Sequence, residues 1–130
     1  MPDPDDQLSA GYVRAVLDAF SNAVHSKDVD RVLRVVTNDA LVIGSERGEM
    51  GFGNHGVKDF IQRVFERYPP IHWEWDLVEA RADGSHAWFF VEGNVLYGDE
   101  RQRYRASGVC RRDDLGEWKL AMFHGSTPEG

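Results

Sequence analysis

The change of hydrophobic period at Pro69-Pro70 constrains this chain more than any other feature. Before it, apolar residues recur at helical spacing. After it they alternate, one in two, for most of the remaining sequence. Helices first and strands afterwards is the pattern of an α+β fold, with the helices gathered on one face of a sheet.

On the helical side, Leu8, Tyr12, Val13, Val16, Leu17, Phe20 and Val24 line one flank of a first helix, with Asp18 and Asn22 opposite. A second, short helix starts near Asp28, a good cap, and puts Val29, Val32, Leu33 and Val36 on one face. Thr37-Asn38-Asp39 ends it, and residues 40–43 read as a short buried strand. Residues 44–56 hold five glycines among polar residues and read as loop. Val57, Phe60, Ile61, Val64, Phe65 and Tyr68 form a third helix, which the two prolines stop. Residues 1–7, acidic and proline-rich, read as a disordered lead, leaving residues 8–130 as one domain.

Residues 71–82, 86–97, 101–112 and 117–124 are four long strand candidates. The short polar joints Asp83-Gly84, Gly98-Asp99 and Leu115-Gly116 are hairpin turns, so successive strands pair antiparallel. Long strands coil, and the sheet curls around whatever covers it. The expected result is three N-terminal helices packed on a curved antiparallel sheet, a cone with an internal pocket and a mouth at one end.

Charge and cysteine usage narrow the partners. A formal net charge of −7 opposes binding to nucleic acid, which depends on neutralising phosphates. Arg101, Arg103 and Arg105 share one face of a strand and, with Arg111 and Arg112, read as solvated. Cys110, the only cysteine, has no nearby His and reads as a buried inert thiol. The five histidines (His25, His55, His72, His86 and His124) lack ligand spacing, so no metal is expected, and no phosphate-binding loop or other cofactor motif is present. With no signal-peptide pattern and no membrane-length apolar run, a cytoplasmic, membrane-free protein is expected.

Several pieces carry a likeness across nearly the whole chain: Asp28-Val29-Asp30, Asn38-Asp39-Ala40-Leu41-Val42, Gly53-Asn54-His55-Gly56-Val57, Gly116-Glu117-Trp118-Lys119-Leu120 and His124-Gly125-Ser126-Thr127-Pro128. This ordered set resembles the superfamily of nuclear transport factor 2, ketosteroid isomerase and the SnoaL-like polyketide cyclases. The ending looks most like bacterial SnoaL-like domains, and is also similar to the association domain of calcium/calmodulin-dependent protein kinase II. The resemblance implies a cystatin-like cone and, commonly, a homodimer joined through the outer sheet face. It does not fix an activity, because one fold hosts many.

A ketosteroid isomerase needs a carboxylate base and two buried donors, a Tyr and a protonated Asp. By the resemblance these roles fall on Gly44, Phe20 and Gly108, none of which can fill them. The remaining catalytic candidates are Glu92, Asn94 and His124. Glu92 and Asn94 share a strand face with His86, Trp88 and Phe90, whereas Ala87, Phe89, Val91, Gly93 and Val95 face the other way. Which set lines the pocket is open at this level. With the small set inward, the pocket is walled by Phe20, Val42, Phe89, Val91, Tyr104, Ala106, Cys110 and Phe123 and suits a small hydrophobic ligand. The bulky set, with Trp88, Phe90, Trp118 and Met122, then forms a dimer interface. With the mixed set inward, Glu92, Asn94 and His124 enter the pocket. Two functions follow: acid–base chemistry on, or binding of, a polyketide- or steroid-like molecule, or a non-catalytic assembly module with a vestigial cavity.

Overall fold

In the computed structural model, which describes residues 4–128, the two-residue period of the C-terminal half becomes a meander of four long strands. These are β3 (Ile71–Asp83), β4 (His86–Tyr97), β5 (Glu100–Arg112) and β6 (Trp118–Ser126), each antiparallel to the next. The helical half supplies α1 (Pro4–His25), α2 (Val29–Val35) and α3 (Gly53–Arg67), with β1 (Val36–Ile43) and β2 (Met50–Phe52) between the last two. All six strands form one sheet in the order β2-β1-β6-β5-β4-β3.

The α+β class and the helices-over-sheet cone stand as expected, with three adjustments. The sheet is mixed, because β1 runs parallel to β6. The link between them is not a hairpin but the rest of the chain, so nothing forces the pair antiparallel. Strand β1 begins at Val36, which the helical pattern had placed in the second helix, and β2 lies inside the stretch expected to be loop. Of the lead expected over residues 1–7, residues 1–3 lie outside the described residues, while α1 already begins at Pro4. Proline suits that place, since its fixed φ is helical and its missing N–H would have no partner there.

The helices cover only the concave face. α1 lies on β3, and α3 on β1 and β2. α1 buries Val13, Val16, Leu17, Phe20, Ala23 and Val24, against Trp75, Ala80, Phe89, Val91 and their neighbours on the sheet. Each Val, Leu or Phe among them contributes roughly 1.5–3 kcal/mol when fully removed from water. β3 is an edge strand, and α1 also satisfies part of its free edge. The Ser21 hydroxyl accepts from the Trp73 N–H at 2.9 Å, and Arg14 donates to the Trp75 carbonyl at 3.1 Å.

Faces follow the alternation, except where a bulge interrupts it. Between β5 and β6, Val109 is opposite Met122 but Cys110 is opposite Leu120, leaving Ala121 as an extra residue. Leu120 and Phe123 therefore both turn inward. Trp118, expected on the outer face with Met122, lies on the helix side, where it stacks on Tyr12 of α1 at 5.7 Å.

At the end of β1 that meets α2, the pairing with β6 shifts register between Val36 and Leu41. Asp39 sits in that irregular stretch and is held by two donors: Arg111 of β5 donates to its two oxygens at 2.8 and 3.2 Å, and the Thr37 hydroxyl of β1 itself donates at 2.8 Å. The Arg111 hydrogen bond, then that of Thr37, lowers the Asp39 carboxyl to about 2, from 3.8. A lowered carboxylate contributes stability above its unfolded value and loses it as pH falls through the folded one. Asp39→Asn should therefore lower Tm at pH 7, and the gap to the parent chain should close as pH falls from about 4 to about 2, followed by circular dichroism melts.

Candidate functional site

The curled sheet and its two covering helices do not meet everywhere. Between them remains a cavity of about 120 Å³. Its walls come from every layer: Phe20 from α1, Val42 from β1, Val64 from α3, Trp73 from β3, Tyr104 from β5 and Phe123 from β6. Phe20 stacks on Trp73 at 5.7 Å and tilts on Phe123 at 5.5 Å, while Trp73 meets Tyr104 at 6.1 Å. Rings at these separations make a rigid, apolar box.

Polar groups reach the cavity at few points. The Tyr104 side chain is only 5% exposed, and its hydroxyl makes no hydrogen bond among the described residues. Burial, and then the charge of Glu49, push its ionisation well above the ordinary phenol value, so the O–H remains a donor. The indole N–H groups of Trp73 and Trp75 are also buried without a partner among the described residues. At the rim, Glu46 and Glu49 enter from the loop joining β1 to β2, facing Tyr68, Tyr97 and Gln102. Glu46 is engaged there, with Arg67 at 3.1 Å and the Tyr68 hydroxyl at 3.3 Å.

The small set of β4 faces in, so the two alternatives left open by the sequence separate. Of the expected pocket residues, Phe20, Val42, Tyr104 and Phe123 line the cavity. Phe89, Val91, Ala106 and Cys110 are buried on the same face but pack in the solid part of the core, farther along the sheet. The Cys110 thiol is pushed up to about 12 by that burial, which makes it inert. Glu92, Asn94 and His124 point outward, away from the cavity. Glu92 pairs with Arg103 at 3.0 Å on the convex face, and His124 is exposed opposite Ser107. None of the three reaches a molecule in the pocket.

The three positions matched to isomerase roles also acquire shapes. Phe20 is part of the wall. A side chain at Gly108 would collide with the Met122 carbonyl, so that place is closed. At Gly44 a Cβ would lie 2.8 Å from Glu49 Oε1 and 3.2 Å from Glu49 Cδ. A carboxyl group already occupies the space that a side chain on Gly44 would use. Sequence reasoning missed Glu49, because an acid in a glycine-rich polar stretch, with Glu46 close by, carries no periodic signal. Trp73 was within reach of it, as an aromatic on a strand that alternation sends inward.

Among the described residues no group of His, Cys, Asp and Glu is arranged to hold a metal ion, and no helix is long and apolar enough to cross a membrane. A family model described as a SnoaL-like domain matches residues 13–129. Solved structures share the fold. An NTF2-like protein of unknown function from Pseudomonas putida KT2440 superposes with a TM-score of 0.78 at 17% identity, over 95% of this chain and 89% of that one. A ketosteroid isomerase-like protein from Erwinia carotovora atroseptica SCRI1043 gives 0.73 at 19% identity, over 94% and 98%. A protein of unknown function with a cystatin-like fold from Nostoc punctiforme gives 0.81 at 12% identity, over 95% and 93%. Comparison with curated proteins found no match.

The tightest point of the site is Gly125, where an added Cβ would strike the Tyr104 hydroxyl. Gly125→Ala should destabilise the fold by about 1–3 kcal/mol, the usual range for overpacking. Adding Tyr104→Phe, which removes the struck oxygen, should recover part of that loss. Urea unfolding of the two single variants and the double variant measures the coupling.

Proposed function

The chain belongs to the SnoaL-like domain family, and on that footing we propose that it is a homodimeric domain whose cavity takes one small, single-ring, largely apolar molecule, which it binds or acts on by acid–base chemistry. The observation that carries this reading is the aromatic box itself. Its volume of about 120 Å³ approaches that of the ~150 Å³ engineered cavities that take up benzene, and falls below the ~300–1,000 Å³ of drug-sized pockets. A four-ring steroid exceeds it, so the steroid- or polyketide-sized ligand expected from the resemblance is replaced by a single ring, with any remainder projecting through the rim. Tyr104 supplies a donor for one carbonyl or hydroxyl oxygen on that ring.

The dimer surface in this reading is the convex face. An apolar row crosses it in register: Trp88 opposite Val109, Val109 opposite Met122, Met122 opposite Leu41, and Leu41 opposite Phe52. Trp88 is 49% exposed and Phe52 56%. A row of large apolar side chains in water is unusual on a monomer and ordinary at an interface. Trp118, expected in that surface, has no part in it, because it lies under α1. The same row favours a second reading, a non-catalytic assembly module, in which the cavity has no ligand.

Thermal-shift measurements with phenol, benzaldehyde and cyclohexanone separate the two. A ligand at a hundred times its Kd adds about 2.7 kcal/mol of stability, so at least one of these should raise Tm by several degrees. Val64→Phe, which fills the cavity from α3, should fold and abolish the shift. If none of the three stabilises the parent chain, the small-molecule reading fails and the assembly reading stands. In sedimentation, the parent chain should run as a dimer and Trp88→Glu as a monomer; a monomeric parent removes the dimer.

A further inference from the structure

Resting on the reading that the cavity takes a small ring, we propose that this ring carries a protonated amine, whose ammonium group is held at the rim by the Glu49 carboxylate and the aromatic faces around it. The charge of the lining points this way first. Its charged members are Glu46 and Glu49, and among the described residues no Lys, Arg or His lines it. Ser45, Gln102 and Thr127 add polarity there but no charge.

The two acids are not equivalent. Glu46 is exposed, and its charge is met by Arg67 at 3.1 Å, whose guanidinium also lies over the Tyr68 ring at 5.1 Å. Glu49 is half-buried and forms no ion pair among the described residues. Its Oε1 accepts from the Glu46 N–H at 2.9 Å, and the other carboxylate oxygen has no hydrogen-bond partner among the described residues. The backbone beneath is held on both sides: the Glu49 carbonyl accepts from the Gly44 N–H at 2.7 Å, and its N–H donates to the Glu46 carbonyl at 3.1 Å. Gly44 leaves the room that this side chain enters, since a Cβ there would stand 2.9 Å from Glu49 Cβ. A half-buried carboxylate without a counter-ion carries a desolvation penalty that a ligand cation would offset.

The field of that carboxylate reaches the rings. Burial, and then the charge of Glu49, raises Tyr104; burial, and then Glu49 and Glu46, raises Tyr68. What disfavours a phenolate at these rings favours an ammonium beside them. The rings themselves add to the attraction, because the faces of Trp, Tyr and Phe carry negative partial charge and draw cations. Tyr68 and Tyr97 meet edge-on at 6.2 Å at the rim, with Trp73, Phe20 and Phe123 behind them. Tyr104, 5% exposed and without a hydrogen-bond partner among the described residues, keeps a buried O–H for a polar substituent on the ring. At a formal charge of −7, the chain as a whole also draws cations and repels anions.

Benzylamine, benzyl alcohol and benzoate share one ring and are positive, neutral and negative at pH 7, so calorimetric titration of the three isolates the preference for charge. Benzylamine should bind the parent chain about tenfold more tightly than benzyl alcohol, as a charge-assisted hydrogen bond provides, and benzoate should bind most weakly. Glu49→Gln keeps an oxygen for the Glu46 N–H and should erase the difference between benzylamine and benzyl alcohol. Glu92→Gln, on the far face, should keep the parent's order. If benzyl alcohol or benzoate binds the parent as tightly as benzylamine, or if Glu49→Gln retains the preference, the amine is overturned and the small-ring reading survives. If none of the three binds, the two fall together.

Discussion

Phe20 joins the two halves of this fold, and much else follows from where its ring sits. It is 2% exposed and bears on Trp73 of the edge strand β3 and Phe123 of the interior strand β6. Those contacts set the height of α1 above the concave face. One residue on, Ser21 ties the same helix to the open edge of β3. Aromatic rings are stiff and cannot collapse into every gap, so a lid whose Phe20 bears on two of them leaves space between the rings. The forces that close the core thus also keep the cavity open. Stability and site are built from the same side chains.

That coupling explains which parts were legible in the sequence. Periodicity is a statement about faces, and wherever one face is buried it reads well: the lid, the meander and the inward run Ala87, Phe89, Val91, Gly93 and Val95 follow directly from it. It fails where a residue is added to a strand. Ala121 at the β5–β6 bulge moves Leu120 and Trp118 to the helix side, and no composition signal marks it. It fails again for β1 and β2, which are short, partner each other through a glycine-rich loop, and owe their place to the sheet edge that β6 offers. The cavity wall was read only in part because burial and lining are different properties. Phe89 and Cys110 are as buried as Phe123, yet the curl of the sheet gives the gap to one end.

The convex face shows a different economy. Toward β3 it carries charge: Arg101 with Glu74, and Arg103 with both Asp76 and Glu92. Such exposed pairs contribute little stability each, but they keep that half of the face solvated. Between such pairs an apolar row runs from Trp88 on β4 through Met122 and Leu41 to Phe52 on β2, with the Arg111–Asp39 pair beside it. In the proposed dimer this row is the surface to be covered, with charged pairs on both sides of it. Glu92, one of three catalytic candidates by sequence, instead pairs with Arg103 on this face.

The placing of the acidic group in a loop changes what the cavity can do. Glu49 stands at the end of a loop whose turn is made by Gly48 in the left-handed region, at φ 84°, and whose backbone folds back on Gly44. The loop is also the rim, since Glu46 in it holds Arg67 and Tyr68 across the opening. The cavity rim and its acidic group thus belong to one loop, tied at one end to Gly44 and at the other to α3 through Glu46, so the opening and the charge beside it are set by the same few residues.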